Sequence, residues 1–322
     1  MKGIQTVHVE NAKASFDFTL RRNITIVRGK SASGKTTLCD MVVDYVRRGD
    51  QSGIRISSNH PCTSILSQDW EAELKKISNS IVFIDEGSRF ISSKAFAKAL
   101  QHNDNYFIIF TRESLEELPY SVNEIYEIAM VGRSRKKHYL KPIYSFDAYH
   151  RLEGNSEVQK SKIEIFLTED SNSGYQFFKS WFQNTDIKCQ SGQSKTKLFN
   201  WLQMHSGQKI FMIADGAAFG PEIDRIYKWQ EEHPDQSIIC LPESFEWLLL
   251  ESGVIQQNGI KEVLENPEEY IESADYISWE RFFTKYLEDI SAETIYAYTK
   301  RKINPYYTKN ANASKVIALI AI

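Results

Sequence analysis

"TIVRGKSASGKTTLCD", residues 25–40, decides the fold. Ile24–Val27 is a short apolar, β-branched run that reads as a strand. Leu38, Met41, Val42 and Tyr45 then recur at helical spacing, predicting a helix over 36–48. Between them lies a loop bounded by Gly29 and Gly34. In a strand, glycine loop, helix sequence, successive backbone N–H groups curl toward one point, and the helix N-terminus adds positive potential. That geometry suits a phosphate.

Gly29-Lys30-Ser31-Ala32-Ser33-Gly34-Lys35-Thr36 fits G-x-x-x-x-G-K-[ST] at every fixed position, with Thr37 following. It resembles the P-loop of nucleoside triphosphatases. The resemblance implies ATP bound with Mg²⁺, Lys35 reaching the β- and γ-phosphates, and the Thr36 hydroxyl on the metal. Such a site needs a second acid. "SIVFIDEG" (80–87) supplies it, because four buried-type residues carry the chain to a sheet edge where Asp85 and Glu86 emerge. Asp85 is the expected metal partner. Glu86 resembles the glutamate that polarises the attacking water in hydrolytic members. "YFIIFTRE" (106–113) is a further strand. It ends in Thr111-Arg112, which resemble the sensor position of additional-strand P-loop ATPases. Arg89, Arg133 and Arg135 are alternative charge-neutralising arginines.

The opening residues also resemble ABC-type ATPases, in which a strand pair precedes the cradle. The likeness stops there. About fifty residues separate the two nucleotide motifs, too few for the helical subdomain of that family, and no LSGGQ-like signature is present. A minimal P-loop core is expected.

"GRSRKKHYLK" and "YHRLEGNSEVQKSK" shift the chain toward basic and polar character, placing a linker between about 130 and 160. A second α/β rhythm follows. Strands are predicted in 163–170, 209–216 and 237–243, and helices over 174–182, 195–205 and 221–233, with a helical tail from 255. "IEIFLTED" ends at Glu169-Asp170, "KIFMIADGAAFG" carries Asp215, and "LPESFEWLLL" carries Glu246. This order of elements and acids resembles a Toprim domain, and the last segment resembles the Pro-x-x-(Ile/Phe)-Glu-x-x-Leu of nucleases of the OLD (overcoming lysogenization defect) family. The likeness implies Mg²⁺ held by Glu169 and Asp215, which would be catalytic, on DNA or RNA. Ala217 departs from the pattern, standing where the family has a second aspartate. Glu222 and Asp224 are candidate substitutes.

The expected fold is therefore α/β: a P-loop parallel sheet with helices on both faces (1–150), then a smaller Toprim-like α/β domain with a helical tail (160–322). ATPase before Toprim is the order of OLD-type and Gabija-type nucleases, which implies an ATPase gating a nucleic-acid-binding or nuclease domain in defence against phage or mobile DNA. Two readings compete: a nucleotide-switched binding protein, which Ala217 favours, and a small-molecule P-loop kinase, which Asp85-Glu86 disfavour.

The net charge of −3 over 322 residues gives no global basic field, so nucleic acid must be met by a local patch such as Arg133 to Lys141. Four dispersed cysteines without a CxxC pair point to a reducing compartment and a cytoplasmic protein. No leader-type segment opens the sequence, and "VIALIAI" (316–322) is too short to span a bilayer. The partners expected are a nucleoside triphosphate, DNA or RNA, and a second copy or another protein; no membrane is expected.

Overall fold

The computed structural model describes residues 1–29, 34–132, 136–144 and 163–320. Lys30, Ser31, Ala32, Ser33, Arg133 and Arg135 lie outside the described residues. The chain is mixed α/β and divides into two units, Met1–Ile143 with Asn266–Ser278, and Tyr144–Glu265 with Trp279–Ile322.

The first unit begins with β1 (Gln5–Glu10) and β2 (Ser15–Leu20), antiparallel with Val7 opposite Phe18. Asn11 makes the turn, its side-chain oxygen accepting the N–H groups of Lys13 and Ala14 at 2.8 Å each. Next come β3 (Ile24–Arg28), α1 (Lys35–Arg48), β4 (Arg55–Ser58), β5 (Cys62–Ser64) and α2 (Trp70–Leu74). After them follow β6 (Ile81–Ile84), α3 (Lys94–Leu100), β7 (Tyr106–Phe110), β8 (Ile125–Met130) and β9 (Lys137–Pro142). Among the described residues these strands make one sheet, ordered β4-β1-β2-β9-β8-β3-β7-β6-β5. From β8 to β5 every pairing is parallel. All five residues of β3 and of β7, and all four of β6, are buried, as expected of strands covered on both faces. Leu38, Cys39, Met41 and Val42 of α1 pack into the core that includes Val27, Phe83, Ile108 and Phe110.

The basic stretch after residue 130 corrects the sequence reading. Lys137–Pro142 is a strand of the sheet, antiparallel to β8 and parallel to β2, and not linker. Its alternating burial, with Leu140 packed against the core, outweighs its charge, since lysines on the open positions cost nothing. Asn266–Ser278, which the sequence places in the helical tail, belongs to the first unit. The Gly3 N–H donates to the Glu268 carbonyl (2.7 Å), Arg21 pairs with Glu268 (3.0 Å), and the Asn23 amide donates to the Ile277 carbonyl (3.2 Å).

The second unit alternates β10 (Ile165–Thr168), α4 (Ser173–Phe182), β11 (Lys188–Ser191), α5 (Lys195–Met204), β12 (Ile210–Ile213), α6 (Ile223–Glu232) and β13 (Ser237–Cys240). Its four strands are all parallel, ordered β11-β10-β12-β13. Helices α7 (Phe245–Glu251), α8 (Ile260–Glu265), α9 (Trp279–Ser291) and α10 (Asn310–Ile320) complete it. With β10 and β12 adjacent at the centre, the residues after them leave the sheet side by side. No helix among the described residues is long and apolar enough to cross a membrane.

Candidate functional sites

At the carboxyl edge of the first sheet, α1 starts from Gly34, whose φ of 97° is left-handed and free of strain only for glycine. Among the described residues its N-cap makes no side-chain hydrogen bond and no acid lies in its first turn, which leaves the positive end of the helix without a charged side chain of its own. Lys35 is buried and donates to the Gly29 carbonyl across the loop. Burial lowers its pKa, with the Glu86 carboxylate acting against that and the Arg112 guanidinium reinforcing it. Thr36 is exposed.

Asp85 and Glu86 follow β6. Asp85 accepts the Gly87 N–H (3.2 Å) and reaches the first turns of α1, where burial and then the Asp85 carboxylate push the Cys39 thiol up. Arg112, from the end of the neighbouring β7, places Nε 2.7 Å from Glu86 Oε1. Thr111 is buried and turns inward, its hydroxyl accepting the Glu113 N–H (3.0 Å), so Arg112 is the member of that pair that faces the edge. Lys35, Glu86 and Arg112 thus act on one another electrostatically, and Asp85 lies against the same helix. This donor set fits a magnesium-bound triphosphate: backbone N–H groups and an ammonium for phosphate oxygens, a hydroxyl and a carboxylate for the metal.

The second site is a cavity of about 40 Å³ at the carboxyl ends of β10 and β12, lined in part by Glu169, Asp215, Phe245, Glu246 and Lys300. That holds an ion or a few waters. The Asp215 N–H donates to Glu169 Oε2 (3.2 Å), and Asp215 Oδ1 accepts the Phe245 N–H at the start of α7 (3.0 Å). Glu246 is 1% exposed; its Oε1 accepts the Tyr298 hydroxyl (2.7 Å) and its Oε2 is buried without a hydrogen-bond partner. Burial, then Glu280, push Glu169 up to about 7, against the Asp215 N–H and Lys195. The same two causes raise Asp215 well above the usual range despite Lys300.

The structure therefore brings together Glu169, Asp215 and Glu246. It does not bring Glu222 or Asp224 to them. Glu222 pairs with Arg225, and Asp224 accepts the Tyr144 hydroxyl. Ala217 is buried and supplies no ligand. Two members of the cluster escaped the sequence reading. Glu280 opens α9, and Lys300 sits in the turn beyond it, with Nζ 2.5 Å from Glu280 Oε1 and 3.9 Å from both Asp215 Oδ2 and Glu246 Oε1. No motif surrounds either one. As arranged, these acids do not fit a divalent ion, because an ammonium already stands among three of them. Among the described residues no three acidic, histidine or cysteine side chains form a metal-binding group. No protein-family model matches the chain, and the search of curated proteins gives no match.

Proposed function

We propose that the first unit binds and hydrolyses ATP with Mg²⁺, and that this cycle gates a Toprim-like second unit that binds or acts on nucleic acid. The observation that carries the reading is the convergence of Lys35, Asp85, Glu86 and Arg112 on the uncapped start of α1. One strand, β7, separates the acid-bearing β6 from β3, in keeping with the resemblance to additional-strand P-loop ATPases. In this reading the N–H groups from Gly34 to Thr37 and the Lys35 ammonium hold the phosphates. Thr36 and Asp85 hold the metal, which neutralises charge on the phosphate oxygens when bound. Glu86 orients the attacking water and takes its proton, while Arg112 compensates charge as the γ-phosphoryl group transfers. The test is phosphate release from ATP by the full chain. Lys35→Ala should abolish both ATP binding and turnover, and unchanged turnover in that variant would refute the reading.

A nucleic-acid contact on the first unit as well is favoured by Lys136, Lys137 and Lys141, all exposed on or beside β9, with Tyr139 39% exposed between them. One face of the His138 ring is covered by Phe16, with ring centroids 4.7 Å apart. The layout implies a role in defence against phage or mobile DNA in a cytoplasmic protein, by resemblance to OLD-type and Gabija-type systems. A second reading, a nucleotide-switched binding protein without metal-dependent cleavage, is favoured by Ala217 together with Lys300. Plasmid incubated with the chain, ATP and Mg²⁺ or Mn²⁺ separates the two: nicking lost in Glu169→Ala selects the nuclease.

A further inference from the structure

In the second unit Asp215 and Glu246, two of the acids that the Toprim resemblance places around a divalent ion, share a lysine with Glu280. We infer that the Lys300 ammonium is the resident cation of the pocket formed by Asp215, Glu246 and Glu280, occupying the position of a divalent metal and leaving this unit metal-independent.

Three observations carry this. The first is placement, since Nζ lies within 4 Å of a carboxylate oxygen of each of the three acids, which come from three separate elements. Convergence of carboxylates from different strand ends and helix starts is what a hard cation demands, and here the point of convergence is an ammonium. The second is how firmly that ammonium is delivered. The Ser173 N–H donates to the Lys300 carbonyl (3.0 Å). The Gln176 side chain donates to the Arg301 carbonyl (2.9 Å) and accepts the Ile303 N–H (3.0 Å). Tyr298, two residues earlier, joins Ser173 and Glu246 through its hydroxyl (2.5 and 2.7 Å). The turn is thereby fastened to the start of α4, and a surface lysine swinging by chance would have no such fixings. The third is the missing ligand. Ala217 removes the carboxylate that would complete a metal set, and Glu222 and Asp224 are committed to Arg225 and Tyr144. A site with one ligand fewer and one fixed positive charge more favours the ammonium over a divalent ion, because adding the ion would bring two cationic centres together in a partly buried pocket.

The inference rests on the Toprim-like reading only for where a metal is looked for, and its test is run without nucleotide, so a failed ATPase assay leaves it standing. Mn²⁺ binding is followed by electron paramagnetic resonance on the full chain carrying Asp85→Asn, which removes the metal carboxylate proposed for the first unit. That chain should bind no Mn²⁺ through the second unit, and adding Lys300→Arg should leave it silent. Adding Lys300→Ala should create a site roughly tenfold or more tighter than any residual binding, and further adding Asp215→Asn should abolish it. The inference is overturned if Asp85→Asn alone binds Mn²⁺ in a way that Asp215→Asn removes. It is equally overturned if Lys300→Ala, folded by circular dichroism, gains no site. Should Lys300→Ala fail to fold, Lys300→Met keeps the packing of the stem and gives the same two-way result.

Discussion

Arg112 Nε lies 2.7 Å from Glu86 Oε1, joining the ends of the adjacent strands β7 and β6 beside the Lys35 ammonium. The pair is partly exposed, so it adds little to stability. Its consequence is for chemistry, because the carboxylate assigned to the attacking water is the one that the arginine holds. Glu86→Gln should lower ATP turnover by roughly 10²-fold or more while leaving ATP affinity nearly unchanged, as loss of a general base requires. Arg112→Ala should lower turnover on the order of 10²-fold, again with little change in affinity. Phosphate release and equilibrium nucleotide binding read both. Faster turnover in Arg112→Ala would mean that the arginine restrains Glu86, and the charge-compensating role would be lost.

Gly216 controls where Asp215 sits. Its N–H donates to the Pro242 carbonyl at 2.6 Å, and a Cβ there would come within 2.5 Å of the Leu241 carbonyl oxygen and 2.9 Å of that of Pro242. Both obstacles are backbone and cannot rotate away. Gly216→Ala should therefore cost about 1–3 kcal/mol by forcing the ends of β12 and β13 apart. Chemical denaturation measures this. A stability equal to the parent chain would show that the strand ends are not closely held.

The strands that bear the sites were legible because their burial is complete. Ile81–Ile84 and Tyr106–Phe110 have no solvent face, so their apolar runs leave no other reading, and the acids behind them mark the sheet edge. Lys137–Pro142 was not legible, since its open positions carry lysines and a histidine and only its pairing with β2 and β8 makes it a strand. In the second unit, the resemblance to a Toprim domain is what placed Glu169, Asp215 and Glu246 together. Lys300 could not, because no regular element delivers it. It reaches the pocket through the Ser173 and Gln176 hydrogen bonds, which join residues over 120 positions apart.

If β9 faces nucleic acid, the salt dependence of binding counts its lysines. Lys137 is exposed, and Lys141 is 3.3 Å from Glu127 Oε1. Lys137→Ala should reduce the slope of log K against log salt by about 0.9 on duplex DNA, and Lys141→Ala by less, since Lys141 must leave Glu127 to meet a phosphate. Fluorescence anisotropy at several salt concentrations gives both slopes. Slopes that stay at the parent value in both variants would remove β9 from the interface.

The Glu169 carboxyl makes the second unit sensitive to pH in a defined direction. Burial first, then Glu280 with Asp170, raise it from the usual 4.5 to about 7, against the Asp215 N–H and Lys195. Below pH 4.5 the folded and unfolded forms both hold the proton, and the group contributes no pH dependence. Between 4.5 and 7 the unfolded chain releases it while the folded chain keeps it, so stability falls as pH rises. Above 7 both forms are ionised and the penalty is constant. Asp215, also raised by burial and Glu280, shifts stability in the same direction. Glu169→Gln removes the titrating group and keeps an acceptor for the Asp215 N–H. Its melting temperature should therefore gain on the parent's steadily between pH 5 and 7 and hold that gain to pH 8. Melting curves that run parallel for the two proteins across this window would mean that Glu169 titrates as an ordinary, solvated carboxylate.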